Sequence, residues 1–161
     1  MTFTFDDLKR YMEFNHNPEL AEIDICEVLA LNPKLCEVQD PKTGKNLGMI
    51  AATLGLEKVT IFCLQNKTAA TQQDNFGRNI GMYSAVHKLE KAVDLAQDND
   101  DAIIQQDLWG YNMGMLCVVS RITNCAEKSL KHPIASKQYN NRGRRIADII
   151  KLDARDENPV F

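Results

Sequence analysis

The sequence lacks any apolar run long enough to cross a membrane. Its longest apolar stretches, such as MGMLCVV at residues 113–119, fall far short of the roughly 20 residues that a membrane-spanning helix requires. The opening residues, MTFTFDDLKRYMEF, carry early acidic groups and lack the basic start, apolar middle and small-residue cleavage site of a secretory signal. We therefore expect a cytoplasmic protein with no membrane partner.

The sequence also lacks the patterns of metal, disulfide and nucleotide sites. Its cysteines are odd in number and have no CxxC spacing, so they predict neither a disulfide framework nor a zinc ribbon. P-loop, HExxH and glycine-rich nucleotide motifs are absent as well. We expect no metal, no cofactor and reduced thiols at Cys26, Cys36, Cys63, Cys117 and Cys125.

What is present is an ordinary globular composition with an uneven distribution of charge. The 161 residues are 44% hydrophobic and 25% charged, which predicts one domain. The net charge of −3 combines an acidic segment, residues 1–39, with a basic segment, residues 132–152. A basic end can attract an acidic partner, and a solvated charged face is the alternative.

One phrase recurs along the chain at a fixed interval. GKNLGMIAA, GRNIGMYSA, GYNMGMLCV and GRRIADIIK begin at Gly44, Gly77, Gly110 and Gly143, which lie 33 residues apart. A period of this length is typical of a solenoid, in which each unit buries its apolar face against its neighbours.

The recurring segments resemble the ankyrin repeat, whose pattern is D-x-x-G-x-T-P-L-H-x-A-A-x-x-G followed by a helix with V-x-x-L-L. The resemblance lies in PKTGKNLGMIAATLG (41–55) with VTIFC (59–63), in DNFGRNIGMYSA (74–85) and in DLWGYNMGMLCV (107–118). It covers roughly residues 40–151. The chain is thus identified as a divergent ankyrin-repeat protein, which implies an all-α solenoid of stacked helix-turn-helix units with helical caps.

The departures from the pattern are the same in each copy. Asparagine replaces threonine, and it predicts an N-cap because its side-chain oxygen can accept from the first turn of a helix. Glycine replaces leucine, which suggests close approach between stacked units, and methionine replaces histidine and would fill the gap beside the glycine. The rows are Asn46, Asn79 and Asn112; Gly48, Gly81 and Gly114; Met49, Met82 and Met115.

The resemblance and the capping residues together predict the organisation of one domain, residues 1–161. Residues 1–39 form an N-terminal helical cap with an acidic outer face, with helices near 4–15 and 18–30. Three repeats occupy residues 40–139, with first helices at 46–54, 79–87 and 112–120 and second helices at 57–64, 89–96 and 124–131. Polar connectors join the repeats. A truncated C-terminal capping repeat (140–152) and a polar tail (153–161) follow.

The resemblance also implies where a partner binds, namely at the turn residues beside each glycine and on the exposed face of the first helices. Aromatic groups beside arginine in the central turns have the composition of interface hot spots. The alternative is that Trp109 folds back over the neighbouring turn. The predicted partner-binding residues are Lys42, Thr43, Lys45, Asn75, Phe76, Arg78, His87, Leu108, Trp109, Tyr111, Asn141, Arg142 and Arg144.

Two other classes of function were weighed against protein binding. A small enzyme would need a Ser or Cys paired with His, and His87 and Ser120 share a repeat position in adjacent units. Stacked helices lie about 8 to 10 Å apart, too far for the hydrogen bond of roughly 3 Å that proton transfer needs, so we predict no enzyme. A nucleic-acid binder would use the basic segment NNRGRRIADIIK (140–151), but a sequence pI near 5.6 argues against it.

The prediction is therefore a protein-protein interaction module, a monomer with an acidic protein partner. The N-x-x-M-x-A variant is similar to ankyrin modules that intracellular bacteria deliver into host cells, which implies an effector acting in a host cytosol as one possible setting. The identity of the partner, and whether binding inhibits, scaffolds or targets it, stay open.

Overall fold

The computed structural model describes residues 3–156, and its regular elements are helical. Within that range the only β contact is an isolated antiparallel bridge between Gln39 and Asn46. The α-helices are α1 (Phe5–Phe14), α2 (Pro18–Leu31), α3 (Leu47–Thr53), α4 (Glu57–Leu64), α5 (Lys67–Thr71), α6 (Ile80–Val86), α7 (Glu90–Ala96), α8 (Asp100–Ile103), α9 (Met113–Val119), α10 (Thr123–Lys131) and α11 (Ile146–Asp156). The all-α prediction is confirmed, and no described helix has the length and apolar character needed to span a membrane.

The helices are arranged in two parallel rows. Helices α3, α6 and α9 pack on one another in the first row, and α4, α7 and α10 pack in the second. Within each unit the two helices of a pair also contact each other, as α3 does with α4. Helix α1 packs on α3 and α2 on α4 at one end, whereas α11 packs on α9 at the other. The units predicted from the period therefore stack in chain order.

The segments between the units differ from the polar connectors that we predicted. Residues 65–73 contain α5, residues 97–106 contain α8, and a 3-10 helix, Ala135–Lys137, occupies the same place in the third unit. Asn66 Oδ1 and Asn99 Oδ1 cap α5 and α8 by accepting from the N–H groups of Ala69 and Ala102. Before the 3-10 helix, His132 Nδ1 accepts from the N–H of Ala135 in the same way. Every unit thus has three helical segments.

The predicted asparagine N-caps are present, and each asparagine also forms hydrogen bonds to a later segment of its unit. Asn79 Oδ1 accepts from the N–H of Met82 at 2.9 Å, and its Nδ2 donates to the carbonyl of Ala102 and to Gln105 Oε1. Asn46 and Asn112 repeat this arrangement with the equivalent residues of their own units. Each asparagine is fully buried and ties the first helix of its unit to the third.

The glycine row lies where a side chain would meet both the next unit and the second helix of its own unit. A Cβ atom on Gly81 would lie 2.3 Å from Met113 Cε and 2.7 Å from Ala96 Cβ, and Gly48 and Gly114 are equally crowded. The methionine row, Met49, Met82 and Met115, is fully buried. Both rows therefore belong to the core, as predicted from the sequence.

The two ends differ from the predicted caps. Helices α1 and α2 expose the apolar side chains of Phe14, Leu20 and Ile23 in addition to acidic ones such as Glu13 and Glu19. At the other end α11 continues through Asp156, so residues 153–156 of the predicted polar tail are helical. Residues 157–161 of that tail lie outside the described residues.

Candidate functional site

The turn before each first helix is built by one buried acidic or amide side chain. Its Oδ1 atom accepts two backbone N–H groups, and a glycine with positive φ, as at Gly77 and Gly110, completes the turn. The donors are Phe76 and Arg78 for Asp74 (2.9 Å each), Trp109 and Tyr111 for Asp107 (3.0 and 2.9 Å), and Arg142 and Arg144 for Asn140 (2.9 and 3.1 Å). Most of the predicted binding residues therefore project from ordered turns.

Backbone hydrogen bonds join these turns into one continuous surface, which we name the turn edge and define as residues 40–45, 74–78, 107–111 and 140–144. The N–H of Asn75 donates to the carbonyl of Thr43 at 3.1 Å, and that of Leu108 donates to Phe76 at 2.9 Å. The N–H of Asn141 donates to Trp109 at 2.9 Å. The spacing of side chains along the turn edge is thereby fixed by the backbone.

Glutamines that the sequence analysis did not select strengthen this ladder. Gln73 Nε2 donates to the carbonyls of Gly77 and Gln106, and Gln106 Nε2 donates to those of Gly110 and Tyr139. The available signal was a glutamine one residue before each turn aspartate, at positions 39, 73 and 106.

Two of the predicted binding residues also form side-chain hydrogen bonds to the preceding turn. Asn75 Nδ2 donates to the carbonyl of Lys42 at 2.8 Å, and Asn141 Nδ2 donates to that of Leu108 at 2.9 Å. Their amide nitrogens thus bind the preceding turn, and both residues stay exposed on the turn edge. Leu108 occupies the same position in the third turn, cannot make this bond, and is 63% exposed.

The structure brings Phe76, Arg78 and Trp109 together at the centre of the turn edge. The rings of Phe76 and Trp109 stack with centroids 6.1 Å apart and planes 19° apart. The Arg78 guanidinium lies 5.2 Å from the Trp109 ring centroid and donates through Nε to Asp107 Oδ2 at 3.2 Å. Both rings stay 49% exposed, so Trp109 packs on the preceding turn and still presents half of its surface to solvent. Tyr111 is more buried than either.

A second group lies where the turn edge meets the first helices. Lys45 Nζ sits 4.4 Å from the centroid of the Tyr83 ring, and Tyr83 donates its hydroxyl to Asp74 Oδ2 at 2.6 Å. Burial and this hydrogen bond raise the pKa of Tyr83. His87 ends α6, and partial burial together with the Lys45 charge lowers its pKa. Tyr83 was missed in the sequence because the equivalent residues, Ile50 and Leu116, are aliphatic.

The carboxylates of the turn edge are buried and satisfied internally. Asp40 bonds to Lys9, which lowers the pKa of Asp40 to about 2, and Asp107 bonds to Arg78. The exposed cations differ, because Lys42, Arg142 and Arg144 form no ion pair with other residues in the range 3–156. The turn edge therefore presents net positive charge around an apolar centre.

The residues weighed for catalysis are not brought together. His87 and Ser120 are the C-cap residues of α6 and α9, and within residues 3–156 no hydrogen bond joins their side chains. Cys117 is buried, and its hydrogen bond with Cys125 and its burial raise its pKa. No cluster of three His, Cys, Asp or Glu residues that could hold a metal ion occurs between residues 3 and 156.

No family model matches the sequence. No curated protein matches it with significance either. The function is therefore argued from the geometry of the site.

Proposed function

We propose that the chain is a divergent ankyrin-repeat solenoid that binds a protein partner through the turn edge and the neighbouring first helices. The period of 33 residues, the stacked helix pairs and the asparagine-capped first helices support the assignment to that repeat class. The proposed setting is the cytoplasm, or the cytosol of a host cell if the protein is a delivered effector.

The observation that carries the proposal is the stacked pair of Phe76 and Trp109, half exposed beside Arg78. Tryptophan, tyrosine and arginine dominate interface hot spots, where burial of aromatic surface supplies much of the binding energy. The ladder hydrogen bonds fix the backbone at Phe76 and Trp109, while the ring stack and the bond from Arg78 to Asp107 restrain the side chains, which lowers the rotamer entropy lost on binding. An exposed aromatic pair on a rigid edge is thus suited to anchor a partner.

Catalysis has less support than binding. A proton-transfer site needs a nucleophile and base within hydrogen-bonding reach, and the described residues place no such pair in the region of His87 and Ser120. Nucleic-acid binding shares the exposed arginines of the fourth turn, Arg142 and Arg144, with the proposed site. Measuring a peptide and an oligonucleotide on the same chain separates protein binding from nucleic-acid binding.

The test substitutes Trp109 by alanine, with Phe14→Ala as the matched control. Phe14 is 73% exposed on α1 and lies outside the turn edge. Proteins captured from cell extract by the wild-type chain are compared with those captured by each variant, and the affinity of any candidate is then measured with purified protein. Trp109→Ala is expected to weaken binding by at least about 2 kcal/mol, or roughly 30-fold, whereas Phe14→Ala leaves it unchanged.

Thermal unfolding of the same variants provides the second measurement. Trp109→Ala removes the contact with Phe76, which is worth no more than about 1.5 kcal/mol beyond area burial, so the melting temperature should fall little. A large loss of stability with partner binding intact would mean that Trp109 is a covering residue and that the interface lies elsewhere.

A further inference from the structure

We infer that the turn edge takes an extended acidic segment of the partner, with an apolar residue seated on Trp109 and carboxylates on Arg142 and Arg144. This inference rests on the proposed function and names the chemistry of the partner at the same site.

The first step is the apolar anchor point. Leu108 is at the position equivalent to Asn75 and Asn141, whose side chains donate to the preceding turn. The third turn therefore lacks this side-chain hydrogen bond and has an exposed leucine at that position. Leu108 and Trp109 follow each other, and the Phe76 ring lies against Trp109. The exposed apolar surface of the turn edge is therefore concentrated in its two central turns.

The second step is the distribution of charge along the edge. In the first three turns the Oδ2 atom of the buried aspartate is engaged, by Lys9 at Asp40, by Tyr83 at Asp74 and by Arg78 at Asp107. The fourth turn has the neutral Asn140 instead. The positive charge at this end of the edge is thus not balanced by a turn carboxylate.

The fourth turn also holds an unsatisfied donor. Asn140 is 96% buried by its accessible surface, and its Nδ2 has no hydrogen-bond partner among the described residues. Its neighbours Arg142 and Arg144 are exposed, and both donate only their backbone N–H groups to Asn140 Oδ1. Arg142 and Arg144 are thus the exposed charged donors of this turn, and a carboxylate is their complement.

The third step is the distance between anchor and cations. Asn141 is bonded through its backbone to Trp109, so Arg142 belongs to the turn that directly follows the aromatic pair. Neighbouring helices stack about 8 to 10 Å apart, and an extended chain advances about 3.3 Å per residue. The partner segment is therefore expected to carry Asp or Glu about three residues from its apolar anchor.

The observations favour an acidic peptide over a nucleic acid. The chain has a net charge of −3, and exposed carboxylates such as Asp100 and Asp101 lie in the same units as the turn edge. A nucleic-acid footprint is usually an extended, strongly basic face, whereas a short acidic segment can be confined to the fourth turn.

The experiment selects binders from a displayed library of random peptides about 12 residues long, which can span the central and last turns when extended. Selection is run on the wild-type chain and on Trp109→Ala, and the peptides that depend on Trp109 are measured by fluorescence anisotropy. They are expected to share an apolar residue with Asp or Glu two to four positions away. A 12-residue single-stranded oligonucleotide is measured beside them.

Charge reversal tests the contact with the fourth turn. The variant Arg142→Glu with Arg144→Glu should weaken the selected peptides at least about tenfold. The control Lys91→Glu with Lys131→Glu makes the same change in net charge at exposed sites outside the edge and should change binding by less than about twofold. Replacing the peptide acids by lysine should restore binding to the reversed edge. Circular dichroism checks that both double variants stay folded.

The possible failures are distinguishable. Peptides that depend on Trp109 but carry no acidic preference, or that respond equally to both double variants, reject the acidic segment and leave the protein-binding module in place. An oligonucleotide that binds more tightly than the peptides, with the same dependence on Arg142 and Arg144, assigns the edge to nucleic acid and rejects both proposals. A selection that yields no peptide dependent on Trp109 also rejects both.

Discussion

At the scale of single residues, the buried asparagines combine local and tertiary hydrogen bonding. Asn79 caps α6 through its oxygen and holds α8 through its amide nitrogen. The cap follows from the sequence, because capping depends on residues three positions apart. The amide bonds to Ala102 and Gln105 lie 23 and 26 residues away, and no local pattern specifies a contact of that range.

Asn79→Ala should therefore cost more than a lost cap. Removing the cap alone costs about 1 kcal/mol, and leaving the buried carbonyl of Ala102 without its donor adds about 1 to 3 kcal/mol. We expect the free energy of unfolding, measured in urea, to fall by about 2 to 4 kcal/mol. Asn17→Ala is the matched control, since Asn17 caps α2 through Leu20 at an exposed site and should cost about 1 kcal/mol. Equal losses in the two variants would mean that the buried amide bonds contribute nothing.

Gly81 gives a second prediction at this scale. Gly81→Leu introduces a side chain whose first carbon already overlaps Ala96 Cβ, an atom that has no rotamer to move away. Overpacking of this kind costs about 1 to 3 kcal/mol, which urea unfolding can measure. Lys91→Leu, an exposed change on α7, should have little effect. If Gly81→Leu kept full stability and lost binding to a partner, the glycine row would be functional.

At the scale of elements, the third helical segment of each unit was the main feature that sequence analysis missed. Segments such as α8, only four residues long, are too short for an apolar period to stand out. The sequence nevertheless carried a signal for these segments, because Asn66, Asn99 and His132 lie 33 residues apart, as the repeated glycines do. The signal was overlooked because the third unit has a histidine where the first two units have an asparagine.

His132 should accordingly be replaceable by asparagine. Its Nδ1 accepts from the N–H groups of Ala135 and Ile134 at 3.1 and 3.3 Å, which is the job that Asn99 does for α8. We expect His132→Ala to lower the free energy of unfolding by about 1 kcal/mol and His132→Asn to restore most of it. Urea titrations of both variants at neutral pH provide the comparison. If asparagine were as destabilising as alanine, the contact of His132 Nε2 with Asp100 at 3.5 Å would be the more important one.

At the scale of the whole molecule, the period predicts the order of the units, and repeat position predicts which residues share the turn edge. The hydrogen bonds that each of these residues makes could not be predicted in this way. Repeat position placed Phe76, Trp109 and the arginines on one edge. It did not reveal that Asn75 and Asn141 are bonded to the preceding turn, or that Arg78 is held by Asp107. Those hydrogen bonds depend on which side chains of successive turns contact each other. The period identifies equivalent positions in all turns and does not predict contacts that differ from one turn to the next.

The stack also predicts that one whole unit can be removed. Deleting residues 74–106 joins Gln73 to Asp107 and lets α9 take the place of α6 against α3. The bonds of Gln73 have equivalents in the third unit, where Gly110 stands for Gly77 and Tyr139 for Gln106.

Because each unit contacts mainly its neighbours, the shortened chain should stay helical and unfold cooperatively, with lower stability and a smaller dependence on urea. It loses the bond from Asn75 to Lys42, since Leu108 then follows the first turn. Circular dichroism and urea unfolding measure the outcome, and a deletion of residues 74–101 serves as the control because it removes less than one repeat of 33 residues and so shifts the register of the third unit against the first. Should both deletions unfold alike, the stability of the chain would depend on contacts beyond neighbouring units.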